Sequence, residues 1–332
     1  MKGSNIRWGI LGCGRIARKF AADLRLVADA ELTAIASRNK ETLEQFAKDF
    51  PAKHLHNSYE SLAANDEVDV IYVATPHSHH YEHTLLCLNH NKAVLCEKAF
   101  AINSRQAKEM IKTAKERKIF LMEALWTKFL PHYKKLQELF QQKTLGDIKS
   151  VLVNFGFKTS DKSPQRLFDP SLGGGTLLDI GIYNVFMTMS VLGKPDSIEA
   201  TMIPSPTGVD EQIAVLFKYN SGAMAQLFSS FTTNLPIQAE INGTEGCITL
   251  TTRFYEPSAT IQLYRQMPGE KEIIPVEKEA GFGYHYEARH VNECLKNGLI
   301  ESPVMTHADT LTLIEVLDAI RMKAGLKYPV DL

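Results

Sequence analysis

A chain of 332 residues is longer than one hydrophobic core usually serves, so two domains are expected. Its 44% hydrophobic and 23% charged residues are ordinary for a globular protein, and 37 Lys and Arg against 38 Asp and Glu leave a formal net charge of -1. That balance carries no electrostatic footprint for nucleic acid or an anionic membrane surface, so neither is expected as a partner and a small molecule is. The five cysteines, Cys13, Cys87, Cys96, Cys247 and Cys294, are odd in number and widely spaced, with no C-x-x-C pair. This argues against a disulfide framework and against a zinc site, and fits a reducing cytoplasm. The first residues lead directly into a strand pattern, leaving no room for a signal peptide, and no apolar run approaches bilayer-spanning length, so a cytoplasmic location is expected.

The first chemically informative stretch is 6–17. The apolar run 8–11 ends in Gly12-Cys13-Gly14-Arg15-Ile16-Ala17, and a helical pattern over 15–27 follows at once. This is a dinucleotide fingerprint in the context it needs. Gly12 permits the tight turn, Gly14 lets backbone approach a pyrophosphate, and Ala17 allows close helix–strand packing, with phosphates at the helix N-terminus. A bound NAD(P) or FAD is expected; the plainer alternative is a tight βα turn and nothing more.

Strand and helix then alternate: strands at 31–36, 68–74, 93–96 and 119–122, helices at 40–50, 79–89 and 103–117, the last capped by Asn103. Such alternation predicts right-handed crossovers and a doubly wound parallel sheet, with ligand at the carboxyl ends of the strands. The second strand ends Ala36-Ser37-Arg38, where an enzyme for NAD usually carries an acidic residue; a Ser and an Arg favour the 2′-phosphate of NADP. The alternative is that Arg38 is a solvated surface residue and NAD is used as well.

After the next strand comes Thr75-Pro76-His77-Ser78-His79-His80, with His83 one turn on. Four histidines invite a metal reading, but no thiolate or carboxylate set with catalytic spacing accompanies them, so no metal is expected. Thr75, Pro76 and His77 are read as the loop beneath the nicotinamide, and the other histidines as singly exposed. A further strand ends Cys96-Glu97-Lys98-Ala99. A lysine there can reach both the cofactor ribose and a substrate hydroxyl, favouring an alkoxide or phenolate, or it can simply pair with Glu97 or a phosphate.

Beyond 124 the pattern changes. After Trp126 a helix runs to about 142, and long strand-like runs follow at 148–157, 197–203, 211–219, 224–231, 238–242, 247–251 and 260–264. Hairpin turns at Asn220-Ser221-Gly222 and Gly243-Thr244-Glu245-Gly246 join some of them, and helices are expected at 181–192, 284–297 and 307–324, the last capped by Thr306. The fold class is therefore α/β: an N-terminal doubly wound parallel sheet over 1–124, binding the dinucleotide, plus a C-terminal α/β domain over 125–332 with a large open, mostly antiparallel sheet. The open sheet face would be buried in a homo-oligomer.

The segment Gly173-Gly174-Gly175-Thr176-Leu177-Leu178-Asp179-Ile180-Gly181-Ile182-Tyr183 is the second informative stretch. The glycines permit close backbone approach, and the i,i+4 spacing sets Asp179 and Tyr183 on one helical face. A phenol near pKa 10 needs a neighbouring cation to act near neutrality, and Lys98 can supply it. The alternative is a carboxylate favoured by the helix dipole and a tyrosine in the core. Trp126 and Phe157, with Phe282 or Tyr284, are candidate aromatic walls for a substrate ring, and Arg166 a candidate contact for its hydroxyls.

Together these residues resemble the Gfo/Idh/MocA oxidoreductase family. The residues that carry the resemblance are Gly9 to Ala17, Tyr72-Val-Ala-Thr-Pro-His77, Leu95-Cys-Glu-Lys98, Met122 to Lys128, Gly173 to Tyr183, Asn242-Gly-Thr-Glu-Gly246 and the ending from Tyr286 to Arg321, over essentially the whole chain. The resemblance implies a Rossmann domain followed by an α/β domain whose open sheet is commonly a dimer surface. It implies that Lys98 is the active-site lysine and that Asp179 and Tyr183 are the acidic and terminal positions of a D-x-x-x-H/Y motif. Tyrosine at the last position is similar to the branch of dimeric dihydrodiol dehydrogenases and NADP-dependent aldose dehydrogenases. The implied activity is NADP-dependent hydride transfer to or from a secondary alcohol of a vicinal diol or cyclic sugar, with aldose 1-dehydrogenase or keto-sugar reductase as the enzymatic alternative and a non-catalytic NADP-binding regulator as the alternative of another class. One departure stands at Ala99, where the family motif reads Glu-Lys-Pro. A proline there makes a cis bond inexpensive and an alanine does not.

Overall fold

Short, continuously apolar strands alternating with amphipathic helices build the first part of the computed structural model, which describes residues 5–160, 165–266 and 269–331. In chain order these elements are β1 (Ile6–Leu11), α1 (Arg15–Leu24), β2 (Ala30–Ala36), α2 (Lys40–Asp49), β3 (His54–His56), α3 (Tyr59–Ala63) and β4 (Val70–Val73). A 3-10 turn (His77–His79) leads to α4 (His80–Asn89), then β5 (Ala93–Glu97), α5 (Ser104–Arg117) and β6 (Leu121–Ala124). The strands are parallel in the order β3-β2-β1-β4-β5-β6. All of Val70–Val73 is buried, as expected of a strand covered by helices on both faces. Local side chains start the helices: Asn39 accepts from the Thr42 amide, Ser58 from Ser61 and Asn103 from Gln106, contributing about 1 kcal/mol each. The tripeptide strand β3 and the five-residue α3 were not expected from the sequence.

The chain divides into two compact units, and the division differs from a single boundary near 124. Unit 1 comprises Met1–Lys128 and Glu279–Leu311, and unit 2 comprises Phe129–Lys278 and Thr312–Leu332. Buried polar contacts explain why the late segment belongs with the first unit. The Asp23 carboxylate of α1 accepts from the amides of Phe282 (2.8 Å) and Tyr284 (2.7 Å), and so caps α8 (Tyr284–Lys296), whose own cap residue Gly283 has no side chain to do so. The Trp8 indole N–H donates to Asn292 at 3.0 Å, and Asn292 donates to Asp29 at 3.0 Å.

Unit 2 contains α6 (Pro131–Gln141), β7 (Ile148–Gly156), two 3-10 turns (Gln165–Phe168 and Pro170–Leu172), a π-helical turn (Leu177–Gly181) and α7 (Ile182–Leu192). Seven further strands follow: β8 (Ser197–Pro204), β9 (Asp210–Lys218), β10 (Met224–Ser230), β11 (Gln238–Gly243), β12 (Gly246–Thr251), β13 (Thr260–Tyr264) and β14 (Lys271–Ile274). α9 (His307–Ala324) begins in unit 1 and ends in unit 2, and the Thr306 hydroxyl accepts from the Asp309 amide at 3.0 Å, as expected of its cap.

The sheet runs β14-β13-β12-β11-β7-β10-β9-β8, antiparallel throughout except for the parallel pair β7 and β10. Ile213, Val215 and Phe217 are buried while their alternates are partly exposed, so one face is core and the other is open. α7 packs on β7 and β10 over the core face; at Gly181 a Cβ would stand 3.1 Å from the Ser229 hydroxyl. The stretch Pro170–Leu192 is apolar and long enough to cross a bilayer by length and composition, which corrects the expectation that no such run exists. Of an 18-residue window within it 72% is buried inside the chain, which accounts for its apolar composition as core structure.

Candidate functional site

In unit 1 the expected cofactor residues converge on the carboxyl ends of the adjacent strands β2, β1, β4 and β5. The Gly12 amide donates to the Ala36 carbonyl at 3.0 Å, and the Ala74 amide donates to that of Leu11 at 2.9 Å, which ties the three loops together. Gly12 has φ +99°, and a Cβ there would lie 3.0 Å from the Ala74 carbonyl oxygen. Gly14, the N-cap of α1, is constrained differently, because a Cβ on it would meet nothing within 4 Å. Among the described residues no side chain caps α1, and its first turn holds no acidic residue. Arg15 is exposed and Ile16 half-buried at this end. Bare amides at a helix start, beside a glycine with open space over it, fit the pyrophosphate of a dinucleotide.

Cys13 does not add a reactive thiol. It is buried, its thiol points at the Ala36 carbonyl, and burial pushes it up to about 12. All five cysteines are free and buried. The Ser37 hydroxyl accepts from the Asn39 amide at 3.2 Å, while Arg38 is exposed with its guanidinium 5.3 Å from the Tyr59 ring centroid. Tyr59 also meets the edge of His83 at 4.7 Å, and His83 Nδ1 lies 3.0 Å from the Thr75 hydroxyl. Arg38 and the loop after β4 are thus linked through Tyr59 and His83, a connection that no local sequence pattern displays.

The expectation of singly exposed histidines is incorrect for His80 and His83, which are buried, as is His77 in the loop before them. Both ring nitrogens of His80 face backbone carbonyls, Nδ1 that of Ala99 and Nε2 that of Thr75, each at 2.8 Å. Burial holds His80 down at about 4 and His83 at about 3. The signal was available in the sequence: His80, His83 or Thr84, and Cys87 form a helical stripe that continues into buried Leu88.

At the end of β5 the Glu97 carboxylate accepts the Tyr72 hydroxyl and, at 3.2 Å, the backbone amide of Lys98. The Lys98–Ala99 peptide is cis. Deeper in, Glu287 of α8 is fully buried, and desolvation together with the charges of Glu97 and Asp23 raises its carboxyl well above the usual range. Trp126 is buried and stacked on Tyr284, with centroids 4.4 Å apart and planes 4° apart, whereas Phe282 is exposed beside the Lys19 ammonium.

In unit 2 the segment 173–183 is built as a cradle and a helix. Asp179 lies in the π-helical turn and Tyr183 in the first turn of α7, so the expected i,i+4 pair spans a junction between two helical geometries rather than one regular helix. Tyr183 is buried, its ring 4.7 Å from Tyr255 and 6.1 Å from Phe155. Burial first, then Glu256 and Asp179 among the nearby charges, pushes the Tyr255 phenol up to about 12. Arg166, expected to meet substrate hydroxyls, lies 3.5 Å from the Asp179 carboxylate. Phe157 packs against Phe231 at 5.2 Å.

Comparison with known proteins agrees with this fold. The model of the Gfo/Idh/MocA oxidoreductase family, NAD-binding Rossmann fold, matches residues 6–125, and that of the Gfo/Idh/MocA C-terminal domain matches residues 133–249. The trans-1,2-dihydrobenzene-1,2-diol dehydrogenase of Xenopus tropicalis is 37% identical over 329 residues, covering 97% of this chain and 99% of the relative. A 3-ketoreductase from Actinomadura kijaniata, solved with NADP and TDP-benzene, superposes with a TM-score of 0.86 at 26% identity, over 97% of this chain and 98% of that one. The aldose-aldose oxidoreductase of Caulobacter crescentus, with glycerol, shares the fold with a TM-score of 0.87 at 24% identity and the same coverage. The parallel sheet with its glycine turn, the mixed open sheet and the full-length likeness lead to one conclusion: the chain belongs to the Gfo/Idh/MocA family of oxidoreductases, with an NAD-binding Rossmann fold at its start.

Proposed function

We propose that the chain is an NADP-dependent oxidoreductase that moves hydride between the nicotinamide and a secondary alcohol of a vicinal diol or a cyclic sugar. The observation that carries this reading is the pairing of Asp179 and buried Tyr183 at the π-to-α junction, on a chain 37% identical over nearly its whole length to a trans-1,2-dihydrobenzene-1,2-diol dehydrogenase. Gly12, Cys13, Gly14, Arg15 and Ile16 would hold the pyrophosphate. Ser37 and Arg38 would hold the 2′-phosphate, and Thr75, Pro76, His77, Glu97 and Lys98 the nicotinamide end. Bound NADP supplies the hydride acceptor, or the donor in reduction.

Tyr183 is the base that takes the hydroxyl proton in oxidation and returns it in reduction. Lys98 contributes the positive charge that favours phenolate and alkoxide forms, and Asp179, with Arg166 beside it, orients the acid–base group. Trp126 and Phe157 supply apolar surface for a ring. The preference for NADP over NAD rests on Arg38, held laterally by the Tyr59 ring. A second reading, reduction of a keto-sugar, is favoured by the 3-ketoreductase among the solved structures.

Two features are part of the same proposal. The protein acts in the cytoplasm, with all five thiols reduced. It forms a homodimer through the open face of the eight-stranded sheet, where Met224 is 43% exposed and Leu152, Leu216 and Phe228 are partly so. The test is reduction of NADP+, with NAD+ in parallel, on a panel of trans-cyclic diols and aldopyranoses. Turnover of one class with NADP+ supports the reading, and silence across the panel with cofactor bound overturns it.

A further inference from the structure

We infer that Asp210, at the start of β9, is the positioning residue of the helix that carries Asp179 and Tyr183, an inference that rests on the role proposed for that pair. The first amides of a helix have no intrahelical acceptor and are usually satisfied by a side chain just ahead of them. At this helix the residue in that place, Thr176, makes no local cap. Its hydroxyl instead donates to Asp210 Oδ2 at 2.5 Å, and the Leu177 amide donates to the same oxygen at 2.7 Å. The cap is therefore supplied from another strand, 33 residues downstream of Leu177.

The glycine loop is shaped around that carboxylate. Gly175 has φ +105°, and a Cβ on it would fall well inside contact with Asp210 Oδ1. Oδ1 is buried and has no hydrogen-bond partner among the described residues. On the other side, the Gly174 amide donates to the Asp169 carbonyl at 2.9 Å and the Gly175 amide to that of Leu167 at 2.8 Å. The Tyr328 hydroxyl donates to the Gly174 carbonyl at 2.6 Å. A Cβ on Gly174 would stand 2.8 Å from the Arg166 carbonyl oxygen, so the turn bearing Arg166 is pressed against the same loop.

Asp210 thus sets where the π-helical turn begins, and through it the axial position of Asp179 and Tyr183. Thr176, Leu177 and the glycines transmit that placement, so Asp210 acts on the pair through them. Tyr328, with Arg321 and Asp331 behind it, completes the charged and titratable surroundings of Asp210. A group whose only task is to hold the fold would affect stability alone. A positioning residue affects the rate at a stability that stays adequate.

The experiment compares Asp210→Asn, Thr176→Val and Thr176→Ser with the wild-type chain. Steady-state kinetics, NADP affinity and amide hydrogen exchange over 176–183 are measured on each. Thr176→Val, which removes a hydrogen bond to Asp210, and Asp210→Asn, which leaves only an uncharged amide oxygen to accept both donors, are expected to lower kcat by about tenfold or more with NADP affinity unchanged. Thr176→Ser, which keeps the hydroxyl, restores wild-type kcat, and exchange over 176–183 quickens in the first two variants alone. If Asp210→Asn does not fold, the two Thr176 variants carry the comparison. Wild-type kcat and wild-type exchange in Asp210→Asn or Thr176→Val overturn the inference. If the wild-type chain turns over no diol or sugar, the proposed function fails on that result, and the exchange measurement still decides whether Asp210 anchors the helix.

Discussion

The two glycine loops of this protein look alike in sequence and serve opposite ends. Around 12–14 the second glycine, Gly14, leaves room. Gly12 makes the turn, and a Cβ on Gly14 would meet no non-neighbouring atom of the described residues within 4 Å. Around 173–175 the glycines are filled by the protein itself, with Asp210 at Gly175 and the 166–169 turn at Gly174. The open side of Gly14, at a bare helix start, is suited to a visitor, whereas Gly174 and Gly175 are small to make room for the chain itself. The first is therefore to be tested by binding and the second by stability and by rate.

The largest expected effect breaks the second loop. Gly175→Ala places a methyl against Asp210 Oδ1 in a left-handed conformation, and a loss of about 3 kcal/mol or more is expected, read as a fall in denaturation midpoint. A variant as stable as the wild type would mean that Asp210 does not fill that loop. Next in size, Gly14→Val should leave stability within about 1 kcal/mol, because a Cβ there meets nothing among the described residues, and should weaken NADP binding by roughly a hundredfold, as expected when backbone can no longer approach phosphate. Equal affinity would remove the contrast between the loops.

The difference was only half legible in the sequence, and the reason is distance along the chain. The fingerprint at 12–17 lies within one strand, turn and helix, so a local pattern contains its whole meaning. The partner of Gly175 lies more than thirty residues downstream, in a lone aspartate at a strand start, and no spacing rule connects them. The assignment of 279–311 to unit 1 has the same cause, since it rests on Asp23 with Tyr284 and Trp8 with Asn292, pairs separated by 261 and 284 residues. Elements escaped notice where their residues are polar and short in run. His-Leu-His in β3 and Lys-Glu-Ile-Ile in β14 lie at the edges of their sheets and are strands because a neighbour pairs with them. Strongly periodic elements such as α5, and the doubly wound order itself, follow from alternation alone.

Smaller effects sharpen the contrast. Arg38→Ala should lower the preference for NADP over NAD by about tenfold or more, the worth of a charge-assisted phosphate contact, in parallel affinity measurements. An unchanged preference would place the 2′-phosphate contact elsewhere. The pH dependence of the two regions should also differ in sign.

Beneath the first loop, His83 is held at about 3 and His80 at about 4, below the ordinary histidine value near 6.5. The unfolded chain therefore takes up their protons first, and the stability they contribute is whole above pH 6.5 and drains as pH falls toward those values. Beneath the second loop, burial raises Asp210 to about 7 from an ordinary 3.8, so its contribution is whole below about pH 4 and is lost as pH rises through 7. Denaturation midpoints should show His83→Gln gaining on the wild type as pH falls from 6.5. Asp210→Asn should gain on it as pH rises from about 4 to 7, each by on the order of a few kcal/mol across its window. Parallel curves for wild type and variant would contradict the burial assigned to these groups.

The most direct measurement of the central claim is the absorbance of reduced nicotinamide formed from NADP+ with trans-cyclic diols and aldopyranoses, on the wild-type chain and on Tyr183→Phe. The account predicts steady turnover of one substrate class by the wild type, and loss of that turnover in Tyr183→Phe with NADP affinity nearly intact. Equal turnover by the two proteins would contradict it.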